Sequence, residues 1–295
     1  MRFVDGLLRY RSVYSNYISI LYQMKVKRKD KVDVILRSGE HLLIPSETVF
    51  FVRELQRYNK IVQNFSFDND KGILSFYYLN KMVKIKIYKE GIYNGEVASF
   101  IGDYDFLGPI DGNTVIDIGA NIGDSSIYFA LKNASKVIGI EPYKWSYDMA
   151  TQNIALNELE NLVMIIHAGY GKSGFMEIED KITDIGTELK EFKGGIKIPI
   201  MSLKDIVEFV GGNIKGKLLL KMDCEGCEYG ILQETSEVLS KFDKIIIEYH
   251  YGCESLKTKL EESGFQVTYT KPHEWFERKG GRHLVQGYIY AKRSL

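Results

Sequence analysis

The sequence predicts an α/β protein built around a mostly parallel sheet, and three observations support this fold class. From residue 114 onward, apolar strand segments alternate with helical segments, which is the pattern of strand–helix–strand units. A glycine turn follows the first of these strands, and polar side chains stand at the ends of several others. Residues 1–90 show a mixed pattern, so we predict an N-terminal α+β accessory region followed by a main domain at 91–295.

Composition limits the choice of partners. The 295 residues carry 39 Lys and Arg against 39 Asp and Glu, so no global field attracts nucleic acid. No run of about 18 apolar residues exists that could form a transmembrane segment. The first residues lack a signal-peptide pattern, and the three cysteines favour a reducing compartment, so we expect a cytoplasmic protein.

The accessory region is predicted to combine helices with short antiparallel strands. Its elements, in order, are a helical lead-in at 1–30, a hairpin of 32–36 with 41–44, a helix at 46–59 and a meander of 61–67, 73–79 and 81–88. Ser46 is a plausible N-cap for the helix because its hydroxyl can accept a backbone hydrogen bond.

The main domain is predicted to contain seven strands and five helices. The strands are expected at 114–118, 136–140, 162–167, 217–222, 244–249, 265–270 and 287–291. The helices are expected at 123–132, 143–157, 202–209, 228–239 and 254–263, with a glycine-rich excursion at 168–198. Parallel strands place their ligand site at their carboxyl ends. The polar residues expected at this edge are Asp117, Glu141, His167, Asp223 and Glu248.

The glycine turn Asp117-Ile-Gly-Ala-Asn-Ile-Gly-Asp124 predicts a nucleoside-binding half-site. Its glycines allow the backbone to approach a ligand closely. Glu141, at the end of the next strand, can accept hydrogen bonds from both ribose hydroxyls. Asp117 and Asp124 would repel the pyrophosphate of a dinucleotide, but they suit a ligand with an ammonium group. The turn therefore favours S-adenosylmethionine over a nicotinamide cofactor.

A second motif carries a family resemblance. The segment Leu219-Leu-Lys-Met-Asp-Cys-Glu-Gly-Cys-Glu-Tyr-Gly-Ile-Leu232 resembles the Lys-x-Asp-x-Glu-Gly-x-Glu signature of FkbM-type methyltransferases. Motifs in the order of that family over about 95–295 include the glycine turn, Glu141-Pro-Tyr, Asn153 with Asn157, and Ile245-Ile-Ile-Glu-Tyr-His250. The resemblance implies a Rossmann-like, seven-stranded class I methyltransferase sheet that uses S-adenosylmethionine. It also implies O-methylation of a hydroxyl on a sugar, a lipid or another small molecule.

The resemblance also implies which residues bind the cofactor. The turn would hold the methionine part, Glu141 the ribose, and His167 with Ala168 would lie beside the adenine. In this chain His-Ala-Gly-Tyr-Gly stands at 167–171 where the family often has Asn-Ala or Asp-Ala. The predicted cofactor-binding residues are Asp117, Gly119, Ala120, Asn121, Gly123, Asp124, Ser125, Glu141, Pro142, His167, Ala168 and Asp223.

The predicted catalytic residues are Asp223, Glu225 and His250. Methyl transfer to a hydroxyl requires an aligned acceptor and removal of its proton. The unperturbed pKa of a histidine such as His250 suits a general base near neutrality, and a strand-end histidine bonded to backbone is the alternative. Asp223 with Glu248 could hold magnesium, but no third oxygen ligand is evident, so we predict no metal.

Two nearby features have structural interpretations. Cys224 and Cys227 have a Cys-x-x-Cys spacing, but a zinc site needs about four ligands, so we expect them to be ordinary packing residues. Glu228 is expected to stabilise the first turn of the following helix through the helix dipole.

Two other functions remain open. An RNA methyltransferase, such as a tRNA methyltransferase, would use residues 1–90 to bind RNA, which the basic run at 25–31 permits. The neutral charge and the lack of an Asn-Pro-Pro-Tyr-type motif after 217–222 count against it. A non-catalytic binding protein is the other possibility. The expected partner is a small-molecule or glycan hydroxyl acceptor, and the sequence specifies neither its identity nor the oligomeric state.

Overall fold

The structure is a computed structural model. It describes residues 2–46, 48–57, 62–86, 98–102, 104–181, 187–276 and 283–293. The chain divides into two compact units, Met1–Asp103 and Tyr104–Leu295. The division falls 13 residues after the predicted boundary at residue 90, as 103 − 90 gives 13, and residues 87–97 lie outside the described part.

The first unit contains three α-helices, a 3₁₀ helix at Ala98–Ile101 and five strands within its described residues. The helices are α1 (Arg2–Val13), α2 (Tyr17–Lys25) and α3 (Thr48–Arg57). The strands are β1 (Lys31–Ile35), β2 (His41–Pro45), β3 (Val62–Asp68), β4 (Ile73–Tyr78) and β5 (Lys81–Lys86). β1 and β2 form an antiparallel hairpin, and β3, β4 and β5 form an antiparallel meander. Alternate residues of β4 and β5, such as Leu74, Phe76 and Val83, are buried, as the period of a half-buried strand requires.

The second unit contains strands that alternate with helices. The strands are β6 (Thr114–Ile118), β7 (Lys136–Glu141), β8 (Val163–His167), β9 (Gly169–Tyr170), β10 (Gly174–Ile178), β11 (Ile196–Met201), β12 (Leu218–Met222), β13 (Phe242–Tyr249), β14 (Phe265–Tyr269), β15 (His273–Phe276) and β16 (His283–Arg293). The helices are α4 (Asp124–Leu131), α5 (Lys144–Leu156), α6 (Leu203–Val210), α7 (Ser236–Leu239) and α8 (Glu254–Glu262).

The central sheet has the strand order β14-β16-β13-β12-β6-β7-β8, and β15 pairs with β16 at its edge. The five strands from β13 to β8 in that order are parallel, whereas β16 is antiparallel to both of its neighbours. This confirms the predicted Rossmann-like class I methyltransferase sheet. The chain runs outward from β6 to β8 and then returns to β12 on the other side of β6. The junction of β6 and β12 is therefore the switch point where such sheets bind ligands.

Both faces of the central strands are covered. All residues of β6 and β12 are buried, and this burial explains why the two strands read as continuous apolar runs rather than alternating ones. The exceptions are Asp117 in β6 and Lys221 in β12, which are fully buried charged residues.

The segment after β12 differs from the prediction. In place of a single helix at 228–239, a 3₁₀ helix spans Cys227–Gln233 and the short α7 follows. Gly230 lies within this 3₁₀ helix, where glycine is an unfavourable helix residue and a Cβ would lie 3.0 Å from the ring of Tyr170. The hydroxyl of Thr235 then caps α7 by accepting a bond from the backbone of Val238. The excursion at 168–198 forms a small sheet with the order β10-β11-β9, and β15 was not predicted.

Among the described residues, no helix has both the length and the apolar character needed to cross a bilayer.

Candidate active site

The turn after β6 packs directly against the end of β12. Gly119 has a φ of 78°, and a Cβ on this residue would lie only 1.8 Å from the carbonyl oxygen of Asp223. The backbone N–H groups of Gly119 and Ala120 both donate to the carbonyl of Ile140 at 3.1 Å. Only glycine combines this left-handed conformation with so close an approach. The turn therefore exposes its backbone where the ends of three strands meet.

A buried ion pair supports this turn from below. Asp117 is 0% exposed, and the hydroxyls of Ser125 and Ser126 donate to its Oδ2 at 2.6 Å each. Nζ of Lys221 lies 3.0 Å from Oδ1 of Asp117 and donates to the carbonyl of Gly119 at 2.9 Å. Burial lowers the pKa of Lys221, but the charge of Asp117 and other carboxylates more than offsets this, so the pKa is raised. Lys221 is thus a permanent cation beneath the turn.

Glu141 occupies the end of β7, beside the turn. Its Oε2 accepts the backbone N–H of Asn121 and its Oε1 accepts that of Tyr143, both at 2.9 Å. The residue is 5% exposed, and burial raises its pKa to about 8 despite these two hydrogen bonds. A ligand that adds hydroxyl donors would favour the ionised form of this carboxyl group.

A pocket of about 110 Å³, partly open to solvent, lies at this junction. Its walls include six of the predicted site residues, namely Gly119, Asn121, Glu141, Pro142, Asp223 and Glu225. Tyr143, Tyr170 and Leu189 add an apolar wall that was not predicted.

The other predicted cofactor residues lie behind this pocket wall. Asp117 and Ser125 bond to each other beneath the turn, as described above. Ala120 is 0% and Asp124 is 6% exposed, and Gly123 forms the left-handed N-cap of α4. His167 bonds through Nε2 to the carbonyl of Pro142 at 3.0 Å and stacks on Tyr147. Ala168 donates its N–H to the carbonyl of Glu141 at 3.2 Å.

The three predicted catalytic residues come together at the ends of β12 and β13. His250 is 1% exposed, and its Nδ1 lies 2.9 Å from Oε1 of Glu228. Its Nε2 lies 3.4 Å from Oε1 of Glu225 and 4.0 Å from Oδ1 of Asp223. Burial lowers the pKa of His250, but its contacts with Glu225 and Glu228 raise it to about 11. Unless a metal ion binds to Nε2, the imidazole is therefore protonated at neutral pH.

Glu228 lies in the first turn of the 3₁₀ helix after β12, and it also contacts His250. It is 0% exposed, and its carboxylate accepts the backbone N–H groups of Gly226 at 2.8 Å and of His250 at 3.1 Å. Together with Nδ1 of His250, these donors give the buried charge three partners. Glu228 therefore orients the imidazole in addition to occupying the first turn of the 3₁₀ helix.

Glu248, Tyr288 and Tyr104 surround the same cluster from the other side. The hydroxyl of Tyr288 donates to Oε2 of Glu248 at 3.1 Å. Burial, followed by the charge of Asp223, raises the pKa of Glu248. Burial also raises the pKa of Tyr104, whose ring centroid lies 5.5 Å from Nζ of Lys221. This part of the site is therefore rich in carboxyl and phenol groups.

Cys224 and Cys227 are joined by a disulfide. The expectation that they are ordinary packing residues is wrong, and the cysteine count lends no support to a reducing compartment. Both cysteines line the pocket, and the bond closes the loop that carries Glu225. The third cysteine, Cys253, is free and buried.

Sequence reasoning missed the role of Lys221 and the bond between Glu228 and His250. The sequence did contain a signal for Lys221: it is a lysine inside the apolar run 217–222, and a charge in a buried strand requires a partner. Glu228 gave no such signal, because its partner His250 lies 22 residues away on another strand.

The fold and the site define a class I methyltransferase that uses S-adenosylmethionine. The family model of the methyltransferase FkbM domain matches residues 117–267, a span that includes the turn, Glu141 and His250. The chain belongs to this family. The predicted family and cofactor are confirmed.

Known proteins resemble the chain over most of its length. The methyltransferase sdnD of Sordaria araneosa is 25% identical over 239 residues, covering 68% of this chain and 89% of that protein. Magnesium protoporphyrin IX methyltransferase (ChlM) of Synechocystis PCC 6803, solved with bound S-adenosylmethionine, is 14% identical with a TM-score of 0.37, covering 68% and 79%. Precorrin-6y C5,15-methyltransferase of Geobacter metallireducens GS-15 is 14% identical with a TM-score of 0.41, covering 71% and 94%.

Proposed function

We propose that the protein methylates a hydroxyl group of a sugar, a glycolipid or another small molecule. The observation that carries this proposal is the cluster of carboxyl groups where the pocket meets the ends of β12 and β13. Asp223 and Glu225 line the pocket, and Glu248 with Tyr288 lies beside them. Carboxylates accept hydrogen bonds from hydroxyl groups, so this region suits an acceptor that presents several of them.

The cofactor fits the other part of the pocket. Gly119 has no side chain, so the backbone of the turn would bind the methionine part of the cofactor. Glu141 would accept hydrogen bonds from the ribose hydroxyls. Tyr143, Tyr170 and Leu189 offer apolar surface for the adenine. When bound, S-adenosylmethionine supplies a methyl group on a positively charged sulfur.

The residues of the chain then have to position the acceptor and take up its proton. As the bond from the acceptor oxygen to the methyl carbon forms and the sulfur–carbon bond breaks, the hydroxyl proton must leave. A protonated His250, held by Glu228, has no free lone pair to receive it. We therefore assign the proton to the carboxylate of Asp223 or Glu225, both of which lie beside His250.

The charges near the pocket support a hydroxyl acceptor over RNA. Lys221 and His250 adjoin this cluster, and both are buried and paired with carboxylates. These two cations are therefore not available to phosphate groups, whereas RNA-binding surfaces need exposed Lys and Arg.

Transfer of a labelled methyl group from S-adenosylmethionine tests the proposal. The acceptor panel contains oligosaccharides, glycolipids, small polyols and, as the competing class, unmodified tRNA. We expect label in an alkali-stable ether on a hydroxyl compound, and much slower transfer by Asp223→Asn that still binds S-adenosylhomocysteine. Glu237→Gln is the control, since Glu237 is an exposed acid in the same unit. Label in tRNA with none in hydroxyl compounds would overturn the proposal.

A further inference from the structure

We propose that Asp223, Glu225 and His250 form a binding site for a divalent metal ion. Their ligand atoms all lie within 4.8 Å of one another. The three residues come from the end of β12, the loop after it and the end of β13, so the fold brings together ligands that are distant in sequence. The sequence-based expectation of no metal depended on finding no third ligand, and Glu225 and His250 remove that objection.

The distances at Nε2 of His250 fit a shared metal ion better than direct hydrogen bonds. Charge-assisted N–H···O bonds are about 2.7–2.9 Å long, but Nε2 lies 3.4 Å from Glu225 and 4.0 Å from Asp223. Two atoms that bind one ion at about 2.1 Å are separated by about 3.0 Å at a right angle and about 4.2 Å when opposite. Both observed separations fall within this interval.

The other imidazole nitrogen provides an independent observation. Nδ1 of His250 makes a bond of ordinary length, 2.9 Å, to the fully buried Glu228. This bond keeps a hydrogen on Nδ1 and turns Nε2 of a 1% exposed side chain towards the two carboxylates. Metal-binding histidines typically donate their second N–H to a carboxylate in this way, which fixes the ring for the metal.

The local charge also favours a divalent ion. Three carboxylates, those of Asp223, Glu225 and Glu228, contact a single imidazole. A divalent ion bound between these residues would place two positive charges among the carboxylates. One nitrogen and two oxygen ligands suit Mn²⁺ or Zn²⁺ better than Mg²⁺, which prefers oxygen ligands alone.

The metal site would also restrict the acceptor, and this part of the inference rests on the proposed function. The side chains of Asp223 and Glu225 are 28% and 20% exposed, so the outer side of the ion faces the pocket. A metal with open positions would bind a hydroxyl oxygen and lower its pKa, and the carboxylate oxygen of Asp223 or Glu225 that does not bind the ion would take up the proton. We expect an acceptor with two neighbouring oxygen atoms, such as a vicinal diol, because it can chelate the ion.

Metal binding can be measured without knowing the acceptor. The full-length protein is stripped with EDTA, dialysed and titrated with Mn²⁺, with binding followed by calorimetry and by the electron paramagnetic resonance of free Mn²⁺. We expect one equivalent to bind to the wild type. Glu225→Gln should weaken binding at least tenfold, because it removes a charged ligand from a partly exposed position, and the exposed-site control Glu237→Gln should bind as the wild type does.

Calorimetry with S-adenosylhomocysteine on the same samples separates the two proposals. If the wild type binds S-adenosylhomocysteine but no Mn²⁺ or Zn²⁺, the metal proposal is wrong and the methyltransferase function is unaffected. Binding of Mn²⁺ that is unchanged in both Glu225→Gln and His250→Gln would place the metal elsewhere and also overturn the proposal. Circular dichroism verifies that each variant is folded before titration.

Discussion

Nζ of Lys221 lies 3.0 Å from Oδ1 of Asp117, and these two residues are also register partners on the adjacent parallel strands β12 and β6. The pair therefore joins the two strands at the switch point of the sheet. Their side chains are 2% and 0% exposed, so solvent screens the interaction very little. The same lysine also donates to the carbonyl of Gly119, which connects the stability of the sheet to the shape of the turn that we propose binds the cofactor.

Lys221→Met should destabilise the protein strongly. It leaves the charge of Asp117 buried with only two serine hydroxyls as partners, and removing one partner of a buried pair costs about 3–5 kcal/mol. Urea unfolding measures the loss. Lys221→Met combined with Asp117→Asn should recover part of it, because the second change removes the uncompensated charge.

A second ion pair between neighbouring strand ends provides the control. Lys217 and Asp243 are 2.9 Å apart, but the lysine side chain is 63% exposed. An exposed pair contributes about 0–1 kcal/mol, so Lys217→Met should hardly change the unfolding midpoint. Equal losses in Lys217→Met and Lys221→Met would contradict the special role of the buried pair.

Gly119→Ala should cost more than backbone strain alone. Its Cβ would lie 1.8 Å from the carbonyl oxygen of Asp223, so the turn and the end of β12 must separate. We expect binding of S-adenosylhomocysteine to fall at least tenfold, measured by calorimetry, along with a large loss of stability.

Gly112→Ala is the matched control for this clash. Gly112 has a φ of 72°, close to the 78° of Gly119, but a Cβ there would meet nothing within 4 Å. Gly112→Ala should therefore cost only the strain of a left-handed backbone conformation, about 1–2 kcal/mol. Cofactor binding should be unchanged. If Gly119→Ala behaves in the same way, the close packing of the turn on β12 is not important for binding.

Glu141 should make cofactor binding depend on pH. Burial raises its pKa from 4.5 to about 8 in the free protein, so it is largely protonated at neutral pH. Ribose hydroxyls that donate to it favour the ionised form, and binding then releases a proton. The affinity for S-adenosylhomocysteine should rise with pH and level off above about pH 8. Calorimetry in buffers of different ionisation enthalpy measures the released proton.

Glu141→Gln isolates this contribution. The amide keeps the shape of the side chain but cannot titrate, so its pH dependence in the same range should be lost together with the released proton. A wild-type affinity that is constant between pH 6 and pH 9, the range about the pKa of about 8, would argue against ribose binding by the ionised carboxyl group.

Local sequence predicted the turn and Glu141 because their geometry depends on neighbouring residues and on one strand–helix–strand unit. The pairing of Lys221 with Asp117 depends on the register of strands about a hundred residues apart, which no local pattern specifies. The bond between Glu228 and His250 likewise requires the 3₁₀ segment that replaces the expected helix. Gly230 could have weakened that helix prediction. The ring of Tyr170 lies beside Gly230, however, and only tertiary packing determines its position.

The Cys-x-x-Cys spacing is compatible with free thiols, a metal site or a disulfide, and the structure has the disulfide. Thiol titration of the denatured protein should give one free thiol before reduction, that of Cys253, and three after it. Because the disulfide closes a loop of only a few residues, losing it in Cys227→Ser should cost no more than about 2 kcal/mol of stability.

The disulfide should have a larger effect on the pocket, which both cysteines line. We expect Cys227→Ser, or reduction of the wild type, to weaken S-adenosylhomocysteine binding, whereas Cys253→Ala should remain sensitive to reductant. Three free thiols without reductant, or binding that reduction leaves unchanged, would show that the bond does not shape the site.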